Sequence, residues 1–251
     1  MHGDDYERNR AAWDATADAY QARHAEQLAR VPAAWGIWSL PESDLDVLGD
    51  VVGRDVLEYG CGGALWSIAL AARGARVTAL DNSAQQLAYA RAAVDAAGAE
   101  VRLVHAPGEE TPFADASFDI VFCDHGAMSF ASPDRTIPEV ARILRPGGIF
   151  AFNVEHPLHA VSWDDAAGGP SRAFHHPYFD LDRIDDPLDR SVNFSRPISG
   201  YVRLLLAHGF ALERLIEPRP EPGAHTTYAG YAAEEWARDY PAELILRARR
   251  V

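Results

Sequence analysis

Asp55-Val-Leu-Glu-Tyr-Gly-Cys-Gly-Gly-Ala64 is the stretch on which the fold turns. Its opening, Asp55 to Tyr59, reads as a short strand buried on both faces, and Gly60-Cys-Gly-Gly63 as a tight turn. Ala64 to Arg73 then reads as a helix stopped by Gly74, with Leu65, Ile68, Ala69 and Ala72 facing inward. Strand, glycine turn and helix in that order aim free backbone amides at an open space. The glycines let a ligand come close to the chain there.

The same rhythm continues downstream. Arg76 to Leu80 reads as a second strand ending at Asp81. Ser83 caps the next helix, Gln86 holds the capping-box position, and the helix runs to Gly98 with Leu87, Ala90 and Val94 inward. Val101 to His105 and Phe118 to Cys123 read as the third and fourth strands. Ser132-Pro133 opens a helix that ends at Arg145-Pro-Gly-Gly148, and Ile149 to Val154 is a fifth strand. Alternation of apolar strands and long crossovers predicts an α/β, doubly wound, mostly parallel sheet. Ligands of such sheets bind beyond the carboxyl ends of the strands, where the strand order reverses. Asp81 stands there, and a carboxylate in that place accepts hydrogen bonds from both hydroxyls of a ribose.

The flanks differ in character. Tyr6 to about His24 reads as a helix with Trp13, Ala17 and Tyr20 on one stripe. Val31 to Pro41 carries Trp35, Ile37 and Trp38 between prolines and is expected to dock on something. Residues 1–50 are therefore expected to form an N-terminal helical cap on an α/β domain of residues 51–251. Residues 156–196 show no period, the mark of a lid inserted after the fifth strand. A helix from about Ser199 to His208, a strand from about Ala211 to Ile216 and the run Leu244-Ile-Leu246 resume the pattern.

Composition narrows the function. With 37 acidic against 23 basic residues the net charge is −14, which repels nucleic-acid backbones and anionic lipid and argues against either partner. Every basic residue is arginine, so Schiff-base chemistry and a lysine-bearing phosphate loop are excluded. Two cysteines, Cys61 and Cys123, form no disulfide framework, and a cytoplasmic location with reduced thiols is expected. No membrane span or signal sequence is read.

The turn itself discriminates between nucleosides. A dinucleotide site wants G-x-G-x-x-G, but the third position after Gly62 is Leu65. Glu58, just before the turn, disfavours a pyrophosphate and favours a cation. The segment Glu58-Tyr-Gly-Cys-Gly62 closely resembles the first motif of class I S-adenosylmethionine-dependent methyltransferases. Val77-Thr-Ala-Leu-Asp-Asn-Ser83, Gly108-Glu-Glu-Thr-Pro-Phe113 with Ser117-Phe-Asp-Ile-Val121, and Val140-Ala-Arg-Ile-Leu-Arg-Pro-Gly-Gly148 resemble later motifs of that family in the same order. The resemblance covers about residues 50–154 and is closest to the small-molecule branch.

It implies a Rossmann-like, seven-stranded sheet, S-adenosyl-L-methionine as cofactor and S-adenosyl-L-homocysteine as product. It further implies that Glu58 and the backbone of Gly60, Cys61 and Gly62 hold the methionine part. Asp81 would bind the ribose, and Asn82, Gly108 and Glu109 would lie by the adenine. Cys123 would offer its carbonyl to the methionine amino group, with Asp124 adjoining. Tyr20, in a stretch similar to the family's leader helix, would close over the sulfonium end, with Trp35 or Trp38 in the same cover. Ala64 stands where the family often has a third glycine, and Pro107 where it often has an aspartate, so adenine recognition rests on Glu109 or on backbone atoms.

His125 and His156 follow the fourth and fifth strands at the edge facing the transferable methyl. A histidine near neutral pKa takes a proton from a hydroxyl or amine, so these two are the candidate catalytic bases, with Asp124 and Glu155 able to orient or replace them. The lid aromatics Trp163, Phe174, Tyr178, Phe179 and Phe194 suit a small apolar or aromatic acceptor. No metal is expected; the histidines at 156, 159, 175 and 176 lack regular ligand spacing. The other readings are an RNA or protein acceptor, a non-catalytic nucleotide-binding subunit, and an NAD-dependent oxidoreductase. A monomer or homodimer is expected.

Overall fold

The computed structural model describes residues 3–186 and 190–251. Seven strands build its central sheet: β1 (Asp55–Tyr59), β2 (Arg76–Asp81), β3 (Val101–His105), β4 (Phe118–Asp124), β5 (Leu144–Glu155), β6 (Phe210–Ile216) and β7 (Glu243–Arg250). They lie in the order β6-β7-β5-β4-β1-β2-β3. Strands β1 to β5 are parallel, while β7 runs antiparallel to both β5 and β6. The order reverses between β1 and β4, so a crevice opens beyond Tyr59 and Asp124.

Helices α1 (Gly3–Arg30), α2 (Leu65–Ala72), α3 (Ala84–Ala97), α4 (Gly126–Phe130), α5 (Pro133–Ile143), α6 (Pro157–Ser162) and α7 (Ile198–Ala207) surround the sheet. On one face Ile137, Val140, Tyr201 and Leu205 of α5 and α7 close over Phe150 and Phe152. On the other, Trp66 and Leu70 of α2 pack with Trp35, Val56 and Phe122. The strands alternate between these two cores, which explains their nearly continuous apolar runs.

Helix α2 is rotated from its expected setting. It buries Trp66, Ser67 and Leu70 rather than Leu65, Ile68, Ala69 and Ala72. Polar chemistry overrides the apolar stripe: the Ser67 amide and hydroxyl both donate to Glu58, and the Trp66 indole donates to the Ala34 carbonyl at 3.0 Å. Ser83 caps α3 as expected, accepting from the Gln86 amide. The Gln86 side chain instead pairs with Gln21 of α1 at 2.8 Å.

Residues 31–41 dock as expected. Ala34–Trp35 pairs with Leu40–Pro41, and Trp35, Ile37 and Trp38 are buried. The expected lid at 156–196 holds α6 and two small ribbons, Trp163-Asp164 with Gly169-Pro170 and Ile184-Asp185 with Val192-Asn193; its residues 187–189 lie outside the described residues. Buried Asn9 of α1 ties the second ribbon down, exchanging hydrogen bonds with the Val192 backbone. Residues 217–242, unassigned from sequence, form a further wall. There Gln27 accepts from the Thr227 amide and donates to the Ile37 carbonyl, joining α1 to both segments.

Candidate functional site

A cavity of about 1030 Å³ lies beyond the carboxyl ends of the parallel strands, between α1, the lid and residues 228–231. Its floor is the glycine turn. Gly60 adopts φ +91°, and a Cβ there would fall 2.4 Å from the Ala127 nitrogen; one on Gly126 would fall 2.4 Å from the Gly60 oxygen. The loops after β1 and β4 thus meet backbone to backbone, which only glycine permits at both positions. Ala64 keeps the turn with φ +57° and is fully buried, so alanine serves where a third glycine would stand.

Glu58 and Asp81 bracket this turn and line the cavity. Glu58 is 5% exposed. Burial pushes its carboxyl up to about 8, against the pull of the two Ser67 donors, and the nearby Asp124 and Asp81 carboxylates push the same way. Asp81 accepts from the Gly62 amide at 2.8 Å and the Ser83 amide at 2.9 Å. Burial also raises its pKa, opposed by those amides. Asp124 accepts from the Gly36 amide and from Asn153 Nδ2, and burial raises it too. Three buried carboxyl groups around one turn suit a cationic ligand, whose charge would favour their ionised forms.

Other expected residues also reach the cavity. Tyr20 lines it, its hydroxyl 2.8 Å from that of Tyr228. Gly60, Cys61, Gly62, Asn82 and Gly108 line it as well. The Tyr59 hydroxyl donates to the Gly108 carbonyl beneath. Glu109 lines it, but its carboxylate is engaged by the Ser132 amide at 3.0 Å and by Arg135 at 3.1 Å, which ties it to the start of α5.

Some expected residues lie off the cavity. Trp35 is fully buried against Trp66 and Phe122, its indole donating to Glu42 at 2.7 Å; the neighbouring Gly36 and Ile37 reach the cavity instead. Trp38 packs in the cluster around Trp236. The Cys123 side chain is in the core, where its sulfur accepts from the Met128 amide, and both cysteines are free thiols. Of the lid aromatics, Trp163 and Phe194 line the cavity, whereas Phe174 and Phe179 are largely exposed to solvent.

The two histidines part company. His156 caps α6, its Nδ1 accepting from the Leu158 amide at 3.0 Å, and its Nε2 lies 3.1 Å from Glu217. Both nitrogens are occupied away from the cavity, and burial lowers its pKa. His125 lines the cavity, with Nε2 2.6 Å from Glu243 Oε1. Burial acts against its charged form, but the Glu243 bond and charge, with Asp124 and Glu155, outweigh it and raise its pKa. Glu155 pairs with His159 at 2.6 Å, and His159 contacts the Tyr231 carbonyl. Among the described residues no cluster of three or more His, Cys, Asp or Glu is arranged to hold a metal ion.

Sequence reasoning missed Gly126, Glu243, Asn153 and Tyr228. Gly126, directly after the fourth strand, was the one open to discovery from a local signal. Glu243, an acid heading an apolar run, carried a weaker hint.

The strand order, the acid-bearing glycine turn and the acid ending β2 define a class I methyltransferase fold. Residues 57–152 match the family of the methyltransferase domain. Over that stretch the chain is similar to methyltransferases. It is 38% identical to a ubiquinone biosynthesis O-methyltransferase of Aromatoleum aromaticum over 41% of this chain and 44% of that one. It is 34% identical to a fatty-acid O-methyltransferase of Mycolicibacterium smegmatis over 47% of this chain and 43% of that one. Each match thus spans less than half the curated relative. An S-adenosylmethionine-dependent methyltransferase structure from Mesorhizobium loti is similar over 83% of this chain and 96% of that one, with TM-score 0.69 and 25% identity.

Proposed function

We propose that the protein is an enzyme that transfers the methyl group of S-adenosyl-L-methionine to an O, N or C atom of a small, apolar or aromatic acceptor. The observation that carries this reading is the glycine turn bracketed by buried Glu58 and Asp81 at the floor of a cavity of about 1030 Å³. That volume is at the upper end for small-molecule sites and accommodates cofactor and acceptor together. Bound there, the cofactor supplies an activated methyl carbon on a positively charged sulfur.

The chain's own residues then have distinct tasks. Asp81 accepts from the ribose hydroxyls, and Glu58 with the Gly60–Gly62 backbone holds the cationic amino-acid end. Asn82 and Gly108 flank the adenine, while Cys123 contributes only its carbonyl. Tyr20, braced by Tyr228, closes the cover and excludes water. Trp163, Phe194 and Tyr231 wall the acceptor side, where orientation supplies most of the rate. His125, rather than His156, stands where it takes a proton from a hydroxyl or amine nucleophile. The acidic surface supports a small molecule over RNA as acceptor, and the free thiols support a cytoplasmic setting; we extend the reading to a monomer or homodimer. Among the described residues no helix is long and apolar enough to cross a membrane.

The test is product formation. Incubation with S-adenosyl-L-methionine and a panel of phenols, amines and enols should yield methylated acceptor and S-adenosyl-L-homocysteine in equal amounts. A protein that binds the cofactor yet methylates only RNA or protein, or nothing, refutes the assignment.

A further inference from the structure

Resting on that reading, we propose that Glu243 is the positioning residue for His125: it grips the imidazole by Nε2, leaves Nδ1 to the acceptor, and balances the charge the ring gains with the acceptor's proton. Glu243 is the first residue of β7, and because β7 runs antiparallel it begins at the edge where the parallel strands end. It is 1% exposed. A carboxylate buried so deeply is costly unless its oxygens are satisfied. Three groups do so: His125 Nε2 at 2.6 Å, Asn153 Nδ2 at 2.9 Å, and the Ile37 amide at 3.0 and 3.2 Å. Gly36 makes this approach possible, since a Cβ at its φ of +70° would fall 2.4 Å from Glu243 Oε1.

His125 shows the complementary signs. Its backbone holds φ +62°, a region that non-glycine residues enter only when their surroundings compel it. His125 lines the cavity with Gly126 and Ala127, its side chain is 28% exposed, and among the described residues its side-chain hydrogen bond is the one made by Nε2. The charged and titratable groups facing it are Glu243 from β7, Asp124 from β4, Glu155 from β5, and Tyr231, whose ring lies 6.2 Å away. Three carboxylates against one imidazole favour its protonated form. Neutral His125, with Nε2–H donated to Glu243, accepts the acceptor's proton at Nδ1 as the acceptor heteroatom bonds the methyl carbon. The carbon–sulfur electron pair stays with sulfur, and the proton later leaves for solvent. Removal of Glu243 takes away both the grip and the counter-charge.

The test reads the ring directly. His125 is titrated by NMR in the ligand-free protein, its signal assigned by loss in His125→Gln, and compared with Glu243→Gln and Glu243→Asp. The wild-type ring should titrate above the ordinary histidine range. Glu243→Gln should lower that value by about one unit or more, and Glu243→Asp should restore most of it. With an active acceptor, the acidic limb of kcat/KM should move down in pH with the ring, and kcat should fall about 100-fold while cofactor affinity holds. A Glu243→Gln variant that loses thermal stability but leaves the His125 titration and the pH limb in place overturns the proposal. So does a wild-type His125 that titrates in the ordinary range, which decides the matter even if Glu243→Gln does not fold. Failure to bind S-adenosyl-L-methionine would defeat the methyltransferase reading and leave the ring titration still able to judge the pair.

Discussion

Glu58 is a carboxyl waiting for a positive charge. Pushed up to about 8 by burial, it is mostly protonated at pH 7 in the ligand-free protein. A cation placed beside it favours the carboxylate, so cofactor binding at pH 7 should release close to one proton. Calorimetry in buffers of different ionisation enthalpy measures that number, and Glu58→Gln should abolish it. The same shift has a stability consequence. A folded value near 8 lies above the usual 4.5, so this group's contribution is full below about pH 4.5 and is lost as pH rises through about 8. Glu58→Gln should flatten that decline in melting temperature. Glu58 and Asp81 were legible because each adjoins a local signal, a glycine turn or a strand end. The His125–Glu243 pair was not, since 118 residues separate its members and only the antiparallel return of β7 unites them. His156 looked equivalent to His125 in sequence, yet the backbone of α6 claims it as a cap.

Loops and helices place these groups by contacts that periodicity does not record. The doubly wound sheet followed from alternation of apolar strands and crossovers, but the face of α2 did not. Its inward edge is set by Ser67 and Trp66 donating to Glu58 and Ala34, so a buried polar partner decided what apolar spacing would have assigned elsewhere. Trp66→Ala should remove the ring that joins residues 34–35 to the sheet and cost about 3–5 kcal/mol, read as a lower denaturant midpoint. The Gly60–Gly126 contact makes a sharper test. Gly126→Ala places a methyl 2.4 Å from the Gly60 oxygen and must force the two loops apart. Cofactor affinity should fall at least about tenfold, because the amides of the turn lose their setting. Gly147→Ala serves as control: a Cβ there meets nothing within 4 Å, although its φ of +80° costs some stability. That variant should bind as wild type.

At the scale of the whole molecule, the sheet offers a crevice beyond its parallel strands and the added segments wall it into a cavity. Helix α1, residues 156–196 and residues 217–242 come from distant parts of the chain. They are knit by Asn9 to Val192, Gln27 to Thr227 and Tyr20 to Tyr228. The third wall escaped sequence reading because its turns and single aromatics carry no period, and the exposed Phe174 and Phe179 show that aromatic content alone does not place a side chain in a cavity. The family match covers residues 57–152, and these walls lie outside it. Everything rests on the crevice between Glu58 and Asp81 receiving S-adenosyl-L-methionine. Isothermal titration of the purified protein with that compound, with NAD in parallel and Asp81→Ala as variant, tests this most directly. Saturable binding of one cofactor per chain, at least about tenfold weaker in Asp81→Ala, with no heat from NAD, is the predicted result. Tight NAD binding, or S-adenosyl-L-methionine affinity unchanged by the loss of Asp81, would contradict it.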